Sequence, residues 1–199
     1  MINVESKCTI GIDLAALNKN STGIALLEAQ TVKTKVIHTD EEIMQYIISS
    51  NPTLIAIDAP LTLPNKEEGL FRKADKEMIK KGFRVLPPGL PIMKKLTLRA
   101  ISLNKLIEKH GYKTIEVHPT STRKALQMPL KDRHAIQEIL KELGLKGELE
   151  ARALSSHEID AITAALTAAL HLNQQTEQIG EENTYIIIPK KRHWRNLIV

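Results

Sequence analysis

The hydrophobic pattern of the chain changes period near residue 40. Before it, β-formers dominate. Cys8–Asp13 (CTIGID) is a short apolar run, Thr22–Ala29 (TGIALLEA) is a longer one, and Val32–His38 (VKTKVIH) alternates in part between apolar residues and lysines. Runs of this kind bounded by polar turns predict three strands. Their connections, Asn18–Ser21 among them, are too short for a helix, so the strands form an antiparallel meander. After Asp40 the apolar residues fall at Ile43, Met44, Ile47 and Ile48, one face of a helix over EEIMQYIISS with Asp40 as its predicted N-cap. Leu54–Asp58 (LIAID) is apolar up to its last residue, as expected of a strand covered on both faces.

Residues 59–111 are too long for a simple crossover. They predict two helices, Lys66 to Lys81 closed by Gly82 and Lys94 to His110 closed by Gly111, around the elbow VLPPGLP (Val85–Pro91). Thr114–Val117 reads as a further strand, followed by helical patterns at Ser121–Gln127 and Asp132–Leu143. Ser155-x-x-Glu158 is a capping box opening a helix to about Leu172. A polar loop, Asn173–Asn183, then leads to a last strand, TYIIIP, and the tail KKRHWRNLIV. Three antiparallel strands followed by crossover-linked parallel ones describe an α/β, ribonuclease H-like architecture. The expectation is a mixed five-stranded sheet flanked by helices, with a helical insertion at about 60–111 after the fourth strand and an extra C-terminal strand, all in one domain spanning 1–199. In that architecture the first strand sits centrally, beside the fourth, and right-handed crossovers place the later helices on the sheet faces.

That order gives the two Ile-Asp strand ends a joint meaning. One Asp where a strand stops is ordinary turn chemistry. Asp13 and Asp58, however, would emerge side by side at the C-terminal edge of neighbouring parallel strands, where open α/β sheets carry their sites. Two carboxylates at close range repel unless a cation lies between them, and hard divalent ions, Mg²⁺ or Mn²⁺, suit oxygen ligands. The helix SSHEIDAITAALTAAL offers a third acid. Ala161, Ala164, Ala165 and Ala168 form a small-residue face suited to close packing on a sheet, and Asp160 lies beside it with His157 three residues earlier on the same side. Three converging carboxylates are what a two-metal phosphodiester hydrolase needs.

Composition narrows the setting. At 199 residues the chain can bury a core unaided. Cys8 is the sole cysteine, which excludes a disulfide framework and a cysteine zinc site and points to a reducing compartment. Charge arrives at once (Glu5, Lys7) with no apolar signal core, and the longest apolar stretch, Ile159 to Leu172, is too short and polar to span a bilayer. The expected location is cytoplasmic, with no membrane partner. A net charge of +5 tolerates a polyanionic partner without demanding one, and 3% aromatic content argues against an extended base-stacking platform.

The set GIDLA, STG, IAIDAPL, IEVHP and HEIDAITAAL, with FRKAD, GFRVLPPGLP and YIIIP, resembles a family of predicted nucleases with a ribonuclease H-like fold (domain-of-unknown-function family 429) over nearly the whole chain. HEIDA is also similar to the His-x-x-Asp-Ala signature of Holliday-junction resolvases. The resemblance implies a metal-dependent nuclease acting on DNA or RNA, with metal on Asp13, Asp58 and Asp160 and His157 assisting. It also implies a homodimer, as in resolvases, and turns Arg72 and Asp75 towards the site; read alone, that pair is a surface ion pair.

Further candidates carry plain alternatives. Glu116 and His118 share a strand face; they could be a fourth ligand and a phosphate or acid-base contact, or Glu116 could form a buried salt bridge. Thr120 opens a helix and either contacts phosphate or simply caps. Arg84, Lys94, Lys95 and Arg99 around the elbow are either a phosphate-binding lid or a solvated positive face. Trp194 in KKRHWR is a stacking contact, a frayed tail or a dimer contact. Two other functions stay open: an actin- or sugar-kinase-like nucleotide-binding enzyme, although one unit and few glycines fit it poorly, and a non-catalytic nucleic-acid-binding module.

Overall fold

The computed structural model describes residues 7–181 and 184–197; Glu5 at the N-terminus and the last two residues of the tail lie outside them. Strands β1 (Thr9–Asp13), β2 (Thr22–Glu28) and β3 (Thr31–Ile37) form the expected antiparallel meander. Helix α1 (Asp40–Ser50) crosses to β4 (Leu54–Ile57), which pairs parallel to β1. The insertion carries α2 (Lys73–Lys80) and α3 (Pro91–Lys109) and leads to β5 (Thr114–Val117), parallel to β4. Then follow α4 (Pro119–Ala125), α5 (Arg133–Glu142), β6 (Lys146–Gly147), α6 (Glu148–Ala151), α7 (Ser156–Leu172), β7 (Thr176–Ile179) and β8 (Ile186–Pro189).

The strands lie in the order β6-β3-β2-β1-β4-β5-β8-β7, an eight-stranded sheet that contains the five expected, the extra C-terminal strand as β8, and two more. The two unforeseen strands sit at the edges. β6 is only two residues long, and β7 falls in what reads as a polar loop because it pairs on one side only and three of its four residues remain partly or fully exposed.

Strand alternation divides the core. Ile10, Ile12, Ile55 and Ile57 pack with Ile43 and Ile47 of α1 and Leu103 and Ile107 of α3 on one face. Leu54 and Ala56 meet Ala164 and Ala168 of α7 on the other. Trp194 is buried with Leu126, Ile136 and Leu166, and its N–H donates to the Leu126 carbonyl at 2.9 Å. It is therefore a core residue, neither a stacking contact nor a frayed end.

Three helix starts differ from the periodicity. Thr39 caps α1 in a capping box with Glu42, and Asp40 instead receives the Arg99 guanidinium. The helix expected from Lys66 starts at Lys73: Gly69 takes φ 75°, outside helical space, and the Asp75 carboxylate turns back to accept the Arg72 N–H at 2.8 Å. Helix α3 begins at Pro91, which the first turn accepts because its N–H would have no partner there anyway.

Candidate active site

Two glycines bring α7 onto the sheet. A Cβ on Gly11 would stand 2.0 Å from the Ala161 carbonyl oxygen and 2.3 Å from the Ala165 nitrogen, and one on Gly23 would stand 2.1 Å from the His157 carbonyl oxygen. The alanine face therefore touches backbone directly. Ser155 caps the helix, with its Oγ accepting the Glu158 N–H and Glu158 accepting the Ser155 N–H at 2.9 Å. This fixes the first two turns, which carry His157 and Asp160, over the C-terminal end of β1 and the N-terminal end of β2.

Asp13 ends β1 and Asp58 follows β4 one step beyond the Ile12–Ile57 pair, with the Asp58 N–H donating to the Ile12 carbonyl at 2.8 Å. Parity with Gly11 and Ala56 puts both on the α7 side. They line one cavity of about 210 Å³, walled by Val85, Leu86, Met93 and Leu96 of the insertion and by Val117 and His118. Burial raises the Asp13 carboxyl to about 6, and the charge of Asp160 adds to this against the hydrogen bond from His157 and the charge of Arg123. Asp58 is pushed well above the usual carboxylate range by burial first, then by the charges of Asp13 and Asp160. Each of the three acids therefore lies within electrostatic reach of the others, and Asp58 makes no side-chain hydrogen bond among the described residues.

Asp13 also lines a second opening, of about 510 Å³, with Lys19, Asn20, Ser21 and His157. The Nδ1 of His157 sits 2.7 Å from the Asp13 Oδ2. Asp160 is turned the other way and pairs through Oδ1 with the Arg123 guanidinium.

Glu116 is not in the carboxylate cavity. Its register partner is Ile57, so alternation puts it on the face opposite Asp58. There Arg72, 1% exposed, grips it with two bonds of 2.8 and 2.6 Å and grips Asp75 with two more of 3.0 and 2.8 Å. The expected surface pair Arg72–Asp75 is thus a buried triad, and the salt-bridge alternative for Glu116 is the observed one. Burial still raises the Glu116 carboxyl against Arg72.

His118 does line the acid cavity, and so does Asp75. Its Nδ1 accepts the Ser121 N–H at 3.3 Å and lies 2.7 Å from the Ser121 Oγ, which leaves the proton on Nε2. Burial lowers its pKa to about 4, so the ring is neutral near pH 7. Thr120 and Arg84 border a separate cavity beside α4. Lys94 and Lys95 are exposed on α3. Arg99 is spent on Asp40 and on the carbonyls of Ala15 and His38, where it braces the loop after Asp13 instead of facing the cavity.

Arg123 is the residue that pattern reading missed. It is 3% exposed and holds Asp160, Thr163, Thr120 and the Leu130 carbonyl, while its Nε has no partner. The available signal was positional: α4 starts at the same sheet edge as Asp58, so a base in its first turns faces the acids.

As the side chains lie, no three acidic, histidine or cysteine groups among the described residues stand close enough to hold one ion. The donor chemistry nevertheless fits a hard divalent cation. Asp13 and Asp58 share a cavity, are both raised by burial and lack a full set of partners, and Asp160 commits only Oδ1 to Arg123, leaving Oδ2.

No family model matches the chain, that of the predicted-nuclease family named above included, and no curated protein matches it. Solved structures do. RuvC of T. thermophilus in complex with a Holliday junction substrate is 16% identical, over 84% of this chain and 95% of that one, with a TM-score of 0.51. A second Thermus thermophilus RuvC structure is 16% identical over 84% and 96%, with a TM-score of 0.50. The likeness is one of fold, and it agrees with the ribonuclease H-like architecture drawn from the strand order.

Proposed function

We propose that the chain is a metal-dependent nuclease that hydrolyses phosphodiester bonds of DNA or RNA, with two divalent ions held by Asp13, Asp58 and Asp160. The observation that carries this reading is the pair Asp13 and Asp58 at adjacent parallel strand ends, facing one cavity and both raised by burial, with the charge of Asp13 adding to the rise at Asp58. A protein gains nothing in stability from such a pair without a cation. The nucleic-acid complex of the structurally similar RuvC supports the choice of polymer.

Mg²⁺ or Mn²⁺ bound there would supply an activated water and stabilise the leaving oxygen. The chain's own groups then have separate tasks. Asp13 and Asp58 would hold the ions from adjacent strand ends. His157 holds the Asp13 carboxylate through Nδ1 and can take up a proton at the open side of the site. His118, kept neutral, offers its Nε2–H to a phosphate oxygen. The apolar wall of Val85, Leu86, Met93 and Leu96 limits water in the cavity.

The test is cleavage of single-stranded, duplex and branched DNA and RNA in Mg²⁺, in Mn²⁺ and in EDTA, by the natural chain and by Asp58→Asn. Cleavage that needs metal and disappears in the variant is expected. Equal activity in the two proteins, or activity in EDTA, rejects the proposal.

A further inference from the structure

Behind the His118–Ser121 bond lies a cavity of about 340 Å³ lined by Arg84, Thr120, Ser121, Lys124 and Leu130. None of these residues is acidic. Among the described residues Arg84 makes no ion pair, and the Lys124 ammonium meets only a neutral acceptor, the Gly82 carbonyl at 2.6 Å. A third cation lies beneath them. Arg123 donates at 3.3 Å to both the Thr120 Oγ1 and the Leu130 carbonyl, two lining residues, and its buried Nε–H is unpaired. This is the acid cavity with the signs reversed: Arg84 and Lys124 line one cavity with no carboxylate in its lining, and only Arg123 beneath them has an acidic partner, Asp160.

The two cavities share a wall, since His118 lines the first and bonds Ser121, which lines the second. Arg123 runs from Asp160, which it reaches with one nitrogen, to the Leu130 carbonyl of the cationic cavity, which it reaches with another. We propose that the cavity between Arg84 and Lys124 is a phosphate-binding subsite. Resting on the nuclease reading above, it takes a backbone phosphate next to the one at Asp13 and Asp58, and so sets the register of the strand. A phosphate offers several acceptor oxygens to the guanidinium, the ammonium and the Thr120 and Ser121 hydroxyls at once. This goes beyond a general positive face, because Arg99 is excluded and Lys124 is brought in.

The experiment is a fluorescence-anisotropy titration of labelled single-stranded and duplex oligonucleotides from 50 to 300 mM KCl, with Arg84→Gln, Lys124→Gln and the double variant. Loss of that one phosphate contact should flatten the plot of log affinity against log salt by roughly 0.7–0.9 in the double variant, with each single variant in between, whatever the base sequence. Mn²⁺ binding measured by calorimetry should stay within about twofold, which separates the subsite from the carboxylates. A parallel arm follows thermal stabilisation by inorganic phosphate. If no oligonucleotide binds but phosphate stabilises the natural chain and not the double variant, the subsite stands for a small phosphate ester and the nuclease reading falls. An unchanged salt slope in the double variant, or no response to either probe, overturns the subsite.

Discussion

The Nδ1 of His157 and the Oδ2 of Asp13 lie 2.7 Å apart, although 144 residues separate them in the chain. The contact exists because α7 lies directly on the glycines of β1 and β2. It makes Asp13 the hinge of the site, between the cavity that holds Asp58 and the open side that holds Lys19 and Ser21.

Asp13→Asn and Asp58→Asn should each abolish cleavage, by at least ~10²-fold, because an orienting residue one shell out already costs that much. Both should stabilise the metal-free protein. Ionised Asp13 is disfavoured in the fold, so its folded value of about 6 against an ordinary 3.8 weakens the fold as pH rises through that interval, on the order of 3 kcal/mol in all. Urea unfolding at pH 7.5 in EDTA should show a higher midpoint for the variants than for the natural chain.

Metal affinity should rise with pH. An ion displaces the protons retained by Asp13, at about 6, and by Asp58, which burial also raises well above the usual carboxylate range, so binding is weak below pH 6 and strengthens above it. Calorimetry with Mn²⁺ from pH 5.5 to 8 should give at least about a tenfold gain per pH unit near the lower end, and a flat profile would show that the acid pair is not the ligand.

Arg123→Met should weaken Mn²⁺ binding about 10–100-fold by releasing Asp160 from its fixed orientation, with Arg123→Lys retaining part of the affinity. A gain in affinity would mean that Arg123 competes with the ion and does not position its ligand. The readout is binding, so it does not depend on turnover.

Glu116→Gln separates a ligand from a strut. It breaks half of a buried triad around Arg72 and should cost about 3 kcal/mol or more in unfolding experiments, yet leave Mn²⁺ affinity within a few-fold. Loss of metal binding with stability intact would return Glu116 to the ligand set.

Gly11→Ala should destabilise by about 3 kcal/mol or more, since its methyl would meet the Ala161 carbonyl at 2.0 Å and α7 could only move off the sheet. Metal binding should fall with it, because His157 and Asp160 travel on that helix. Chemical denaturation and calorimetry check the two effects on one variant.

The sequence by itself determined the central strands, their order, the two Ile-Asp ends and the capped alanine helix. Each of these is written in local periodicity, strand alternation or a three-residue capping signal, which short-range sterics and burial enforce. Alternation also held the evidence against Glu116: one strand position past Ile115 turns it from the α7 face to the opposite one. Only the tertiary structure decided the partners. That Arg72 takes Glu116, that Arg123 takes Asp160, that Arg99 braces the loop after Asp13 and that Trp194 enters the core depend on which helix faces which strand end across 37 to 84 residues. A charged side chain carries no periodic mark of the partner it will meet, so these pairings arise only when the packed elements bring the charges to one place.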